Sequence, residues 1–194
     1  TEADFVAVRF PFSREKVDSR EMQDDRRIVV DEGSGRRKVL FVLAEVKAGA
    51  CNMNGPWTDR RAKNMQRVLR RMGFTAKESN IDSAAEDLYD AGRWEGDNVI
   101  VQYVCFGDRT VRELKEQHCR LVQLTWKDVA DFLTKRHAQY PEKTPGGLVH
   151  KQWPTFGRCF GEWFVSSGRR ATEEAAAQFI RDYIHGRLGR CNET

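Results

Sequence analysis

The sequence predicts an α/β fold, a mixed central sheet flanked by helices, with helical sequence gathered toward the C-terminus. Three observations predict it. Residues 39–44 are a continuous apolar run and residues 98–106 a largely apolar one, both rich in β-branched and aromatic side chains, of the kind that form strands buried on both faces. Residues 58–72 and 82–93, lying between those runs, carry apolar side chains at helical spacing. Beyond a linker near residue 141 the chain reads as an aromatic-rich segment and a terminal helix. The expected division is therefore a core over residues 1–140 and a helical extension over 141–194, packed on that core.

The 194 residues suit one domain, or one domain with an appended helical subdomain. A hydrophobic content of 40% supplies a core, and a charged content of 32% predicts solubility. No apolar run approaches the roughly 20 residues needed to span a membrane. Thr1-Glu2-Ala3-Asp4 lacks the basic and apolar regions of a signal peptide, and strand-like sequence begins at once, as in a piece of a longer chain. Cys51, Cys105, Cys119, Cys159 and Cys191 are odd in number and widely spaced, so neither a disulfide framework nor a zinc site is expected. A reducing, cytoplasmic setting follows from that usage. With 33 Lys and Arg against 29 Asp and Glu, the net charge of +4 discriminates little between partners, and its distribution matters more.

Taken in order, Asp4–Phe10 reads as a first strand stopped by Pro11. Residues 13–27 are crowded with charge and read as a solvated loop. Arg27–Val30 suggests a short strand, and Gly33-Ser34-Gly35 a turn before the central strand at Val39. After Lys47 comes a loop in which Asn54-Gly55-Pro56 is a turn signal and Trp57 a packing or base-stacking residue. Thr58 or Asp59 can cap a helix running to about Met72, with Ala62, Met65, Val68, Leu69 and Met72 facing the core. Asn98–Phe106 is a second interior strand. A short helix at Val111–His118, a strand at Leu121–Leu124 and a helix at Trp126–Gln139 follow, the last with Trp126 in the core and His137 on the surface. Trp153, Phe156, Phe160, Trp163 and Phe164 read as a subdomain core or a protein interface, and the last helix covers about Thr172–Leu188.

The chemistry-bearing residues lie at strand ends. Glu45 and Lys47 close the central strand and, two apart, share one of its faces. Should the first strand pair with it antiparallel, Asp4 meets Glu45. Two converging carboxylates repel one another and call for a shared cation, and oxygen ligands suit Mg²⁺ or Mn²⁺. A lysine beside such an ion can orient or deprotonate a water, or stabilise developing phosphoryl charge.

An Asp on one apolar strand followed by Glu45-Val46-Lys47 ending another resembles the PD-(D/E)XK nuclease superfamily and its restriction-endonuclease-like fold. The helix at 58–72 and strand at 98–106 follow in that family's order, so the resemblance covers about residues 1–106. Ala3 stands where the family often has proline. The family's first helix and strand, which often supply another acid, would precede Thr1, with Glu2 as a weak substitute. The resemblance implies a metal-dependent nuclease acting on DNA rather than RNA, with Asp4 and Glu45 as ligands of Mg²⁺ or Mn²⁺, and Lys47 catalytic. Some relatives use a polar residue on the following helix, for which Gln66 is the match; by itself Gln66 reads as an ordinary helix-surface residue. Arg60, Lys63, Arg67, Arg70 and Arg71 form a basic stripe on the same helix, either a solvated face or a phosphate-binding one. The rival expectation is a non-catalytic nuclease-like domain serving nucleic-acid binding or protein assembly in a larger chain, with a protein partner or a second copy as its ligand and no membrane.

Overall fold

The computed structural model describes residues 4–13, 16–17, 20–21, 23–29, 38–139, 155–168 and 171–188. It is an α/β fold with a mixed open sheet flanked by helices. The strands of that sheet are β1 (Phe5–Arg9), β4 (Val39–Val46), β5 (Arg93–Glu95), β6 (Val99–Gly107) and β7 (Val122–Thr125). Two short strands, β2 (Lys16–Val17) and β3 (Arg20–Glu21), pair with each other, where the sequence predicts only a solvated loop. The order is β1-β4-β6-β5, with β7 also pairing β6. β1 runs antiparallel to β4, which runs parallel to β6, and β5 is antiparallel to β6.

Parallel pairing of β4 with β6 requires a crossover connection. That connection holds α1 (Gly55–Thr58), α2 (Asn64–Met72) and α3 (Glu78–Asp90). Phe41, Leu43, Val101, Tyr103 and Cys105 on one sheet face form a core with Trp57, Met65, Leu69, Ala85 and Leu88. β4 is the central strand, and both of its faces are largely buried, as its unbroken apolar run predicts.

The expected continuous helix over 58–72 is instead broken in two places. The Asp59 carboxylate accepts the Arg61 N–H and starts a 3₁₀ turn over Arg60–Ala62; Lys63, at φ +51°, then takes the left-handed conformation and ends it before α2 begins. Gly73, also left-handed, closes α2 by donating to the carbonyls of Leu69 and Arg70. Around Arg27 the expected strand is a turn, because the Asp25 carboxylate accepts the Arg27 N–H at 2.9 Å and the Asp25 carbonyl accepts from Ile28 and Val29. Val30, Gly33-Ser34-Gly35, the linker after Pro141 and Trp153 lie outside the described residues.

The chain divides into two compact units, with a break between Leu124 and Thr125 and with Val17–Met22 grouped with the second. Within the first, α4 (Arg112–Gln117) precedes β7. The second holds α5 (Trp126–Gln139), α6 (Thr155–Ser166) and α7 (Glu173–Ile184). Thr172 caps α7 by accepting the Ala175 N–H. Phe160 and Phe164 are buried, and Phe160 packs edge-on against Phe179 at 5.7 Å, so the late aromatic residues make this unit's core. His137 is buried rather than on the surface, since its ring lies 5.2 Å from that of Phe160. Cys159 is disulfide-bonded, where the sequence indicates no disulfide framework: an odd count excludes full pairing, not a single bridge. No helix among the described residues is long and apolar enough to cross a membrane.

Candidate active site at the rim of the sheet

The β1–β4 register pairs Phe5 with Ala44, which sets Asp4 beside Glu45 at one end of the ladder. Asp4 is exposed and holds its place by accepting the Val46 N–H on Oδ2 at 2.8 Å. Glu45 is only 1% exposed. Its Oε1 accepts from both Lys47 Nζ and Asn54 Nδ2. Lys47 Nζ also donates to Asn54 Oδ1 at 2.6 Å, so the three side chains form a closed hydrogen-bonded ring. Lys47 lies one residue past β4 but stays on the ladder, its N–H donating to the Phe106 carbonyl at 2.8 Å. That contact keeps Glu45 and Lys47 on a common face.

Glu45 Oε2 is buried with no hydrogen-bond partner. So is the hydroxyl of Tyr103, which lies on the same sheet face. Burial first, and then the negative charge of Glu45 followed by lesser contributions from Cys105 and Asp4, push the Tyr103 pKa far above the usual phenol range. The hydroxyl is thus close enough to feel both carboxylates, and a side-chain interaction of hydrogen-bond type with Glu45, looser than the bonds at Oε1, raises it further. Buried polar atoms are normally satisfied, so an orphaned oxygen on a carboxylate is a place where a cation or an ordered water fits. The donors suit Mg²⁺ or Mn²⁺, which take one or two carboxylates and keep several waters. Among the described residues, which do not include Glu2, no group of three His, Cys, Asp or Glu side chains is arranged around one point.

Gln66 is 5% exposed, and its Oε1 is buried without a hydrogen-bond partner, so the expectation of an ordinary surface glutamine fails. The shortened α2 is the cause, with Asn64, Met65, Gln66, Val68 and Leu69 all buried on it. The basic residues do not act as one stripe. Arg60, on the 3₁₀ turn, pairs with Glu86 at 2.9 Å and with Asp90, and its guanidinium lies over the Tyr89 ring. Arg70 pairs with Glu78 at 2.8 Å. Lys63, Arg67 and Arg71 are exposed and make no ion pair among the described residues.

The site lies at the rim of the sheet, at the end of β4 and β6. A cleft of about 340 Å³, lined by Phe74, Trp94, Asn98 and Val99 among others, opens by the start of β6, whereas Glu45 pairs with Cys105 near that strand's end. Asn54 and Tyr103 belong to the site without having been singled out for chemistry in the sequence. Asn54 sits in a turn signal and Tyr103 in an apolar run, and neither local pattern marks a polar contact. Comparison with family models, curated proteins and solved structures finds no match to this chain.

Proposed function

We propose that Asp4, Glu45 and Lys47 form the centre of a metal-dependent phosphodiesterase acting on nucleic acid, DNA in preference to RNA. The observation that carries this reading is the state of Glu45: one oxygen is committed to Lys47 and Asn54, the other is buried without a hydrogen-bond partner, and the strand register sets Asp4 opposite this residue. The resemblance to PD-(D/E)XK nucleases supports the same roles and is what favours DNA.

Asp4 and Glu45 would hold Mg²⁺ or Mn²⁺. When bound, such an ion polarises a phosphoryl oxygen and makes water a better nucleophile at neutral pH. Lys47 keeps its ammonium at Glu45, where it can orient the attacking water and offset negative charge developing on the phosphoryl oxygens. Water oxygen bonds to phosphorus, the bond to one ester oxygen breaks, and that oxygen leaves and takes up a proton. Asn54, on the exposed side, holds the Lys47 ammonium, and the buried Tyr103 lies on the same sheet face as Glu45.

Incubation with plasmid and single-stranded DNA, in Mg²⁺, Mn²⁺ or EDTA, tests the proposal. Cleavage is expected with metal, absent in EDTA and lost in Glu45→Ala. Cleavage persisting in EDTA or in Glu45→Ala would remove this rim from the reaction. Wild-type protein that binds DNA without cutting it would shift the reading to the non-catalytic alternative, a nuclease-like domain for nucleic-acid binding or assembly. What favours that second reading is that no cluster of three acidic or other metal-binding side chains occurs among the described residues.

The basic residues separate into two groups in binding. Each Lys or Arg that neutralises a phosphate contributes about one unit to the salt dependence of affinity. Arg67→Ala and Arg71→Ala are each expected to reduce the slope of log affinity against log salt by about 1 in fluorescence-anisotropy titrations. Arg60→Ala and Arg70→Ala, whose charges are already paired, are expected to change it less. Equal slopes for all four variants would mean that the helix does not contact phosphate.

A further inference from the structure

We propose that Asn54 is a positioning residue of this site, holding Lys47 and Glu45 in one arrangement that leaves Glu45 Oε2 as the oxygen open to a cation. Its role in turnover rests on the phosphodiesterase reading; its hold on Lys47 does not.

The side chain acts on both partners at once. Oδ1 accepts from Lys47 Nζ at 2.6 Å, and Nδ2 donates to Glu45 Oε1. A carboxamide suits this task because it carries an acceptor and donors on one rigid plane. Aspartate could still accept from Lys47 but could not donate to Glu45, and would set a third negative charge against the two carboxylates. Alanine could do neither, and would leave the Lys47 ammonium held by Glu45 alone, with more freedom for its four-carbon stem.

The backbone of Asn54 is held as firmly as its side chain. Its carbonyl accepts from Trp57 at 2.9 Å and from Thr58 at 3.2 Å, the opening bonds of α1. Trp57 is buried, with its ring centroid 6.2 Å from that of Tyr103. On the other side the loop is tied to the neighbouring strand. Cys51 N–H donates to the Arg109 carbonyl at 2.9 Å, and Asn52 N–H donates to the buried Cys105 thiol at 3.3 Å. Gly107 permits this approach, since a Cβ there would come within 2.7 Å of both the Cys51 nitrogen and the Gly49 carbonyl oxygen. An exposed loop asparagine is thus fixed at both flanks and aimed at the two charged groups.

The test uses the whole chain with Asn54→Ala and the isosteric Asn54→Asp, both checked for native thermal melting. A slowly exchanging lysine ammonium signal in ¹H–¹⁵N spectra, assigned by its loss in Lys47→Ala, reports whether Lys47 is held. It is expected in the wild type and in Asn54→Asp, and absent in Asn54→Ala. Mn²⁺ binding, followed by paramagnetic resonance, is expected to tighten in Asn54→Asp. In plasmid cleavage both variants are expected to lose roughly 10–100-fold in kcat with little change in KM. An ammonium signal unchanged in Asn54→Ala, or missing from the wild type, would overturn the proposal. So would a rise in KM with kcat intact. A wild type that shows the signal, loses it in Asn54→Ala and yet cuts no DNA would sink the phosphodiesterase reading while leaving the hold of Asn54 on Lys47 standing.

Discussion

Lys47→Ala is expected to lower DNA cleavage by on the order of 10²–10⁴-fold while leaving DNA binding close to that of the wild type. The size follows from where the ammonium sits. Its donors reach Glu45 Oε1 and Asn54 Oδ1, so the charge is fixed within the site and not spread over a mobile surface chain. A fixed charge that meets a developing negative charge needs no reorganisation during the reaction, and such groups contribute most to rate. On the proposed reading, binding would depend instead on phosphate contacts made elsewhere, by exposed groups such as Arg67 and Arg71. Single-turnover cleavage beside an anisotropy titration separates the two effects. Unchanged cleavage would take Lys47 out of the mechanism, and an equal loss of binding and cleavage would make it a phosphate-gripping residue.

The second large effect concerns stability. Trp57→Ala is expected to cost about 3–5 kcal/mol, the range for truncating a fully buried tryptophan. Trp57 is 1% exposed and packs in the core with Tyr103, Met65 and Leu69, so few neighbours can move into the space it leaves. It is a packing residue, and the base-stacking alternative is closed by that burial. Urea unfolding at pH 7 gives the measurement. A loss under about 1 kcal/mol would mean that the one-turn α1 collapses into the gap, a response seen when a site can relax. In that event Asn54 would also be displaced, because the first turn of α1 is what its carbonyl supports.

The sheet was legible where one residue type repeats almost without interruption. The Val39–Ala44 run and the largely apolar Val99–Phe106 run, broken only by Gln102, read as strands covered on both faces, and the charged pair after the first follows from its period. Helix interiors were legible too, since Met65, Val68 and Leu69 recur at helical spacing and are buried. Breaks were not. Nothing local marks Lys63, an ordinary helix former, as the residue that turns left-handed; the demand comes from the buried Trp57 before it and the buried face of α2 after it. β5 was missed because three residues carry too little pattern, and Arg93 and Glu95 read as helix end and loop. At the site, the acid and lysine positions came from strand ends, which sequence can place. Asn54 came from a loop folded back across the sheet rim, and Tyr103 from an apolar strand whose hydroxyl the pattern ignores. Contacts of that kind are made by tertiary packing and leave no period to read.

The antiparallel register of β1 on β4 has one more implication. Arg9 pairs with Leu40, so the chain leaves β1 and re-enters at β4 on the side of the ladder away from Asp4 and Glu45, roughly 17 Å off at strand spacing. Doubling the length of a flexible connection adds only about 0.6 kcal/mol to its closure. The connection between the two strands and the pair of acids thus occupy opposite ends of one ladder, so a residue inserted just after Arg9 lengthens that connection without changing the register that sets Asp4 opposite Glu45.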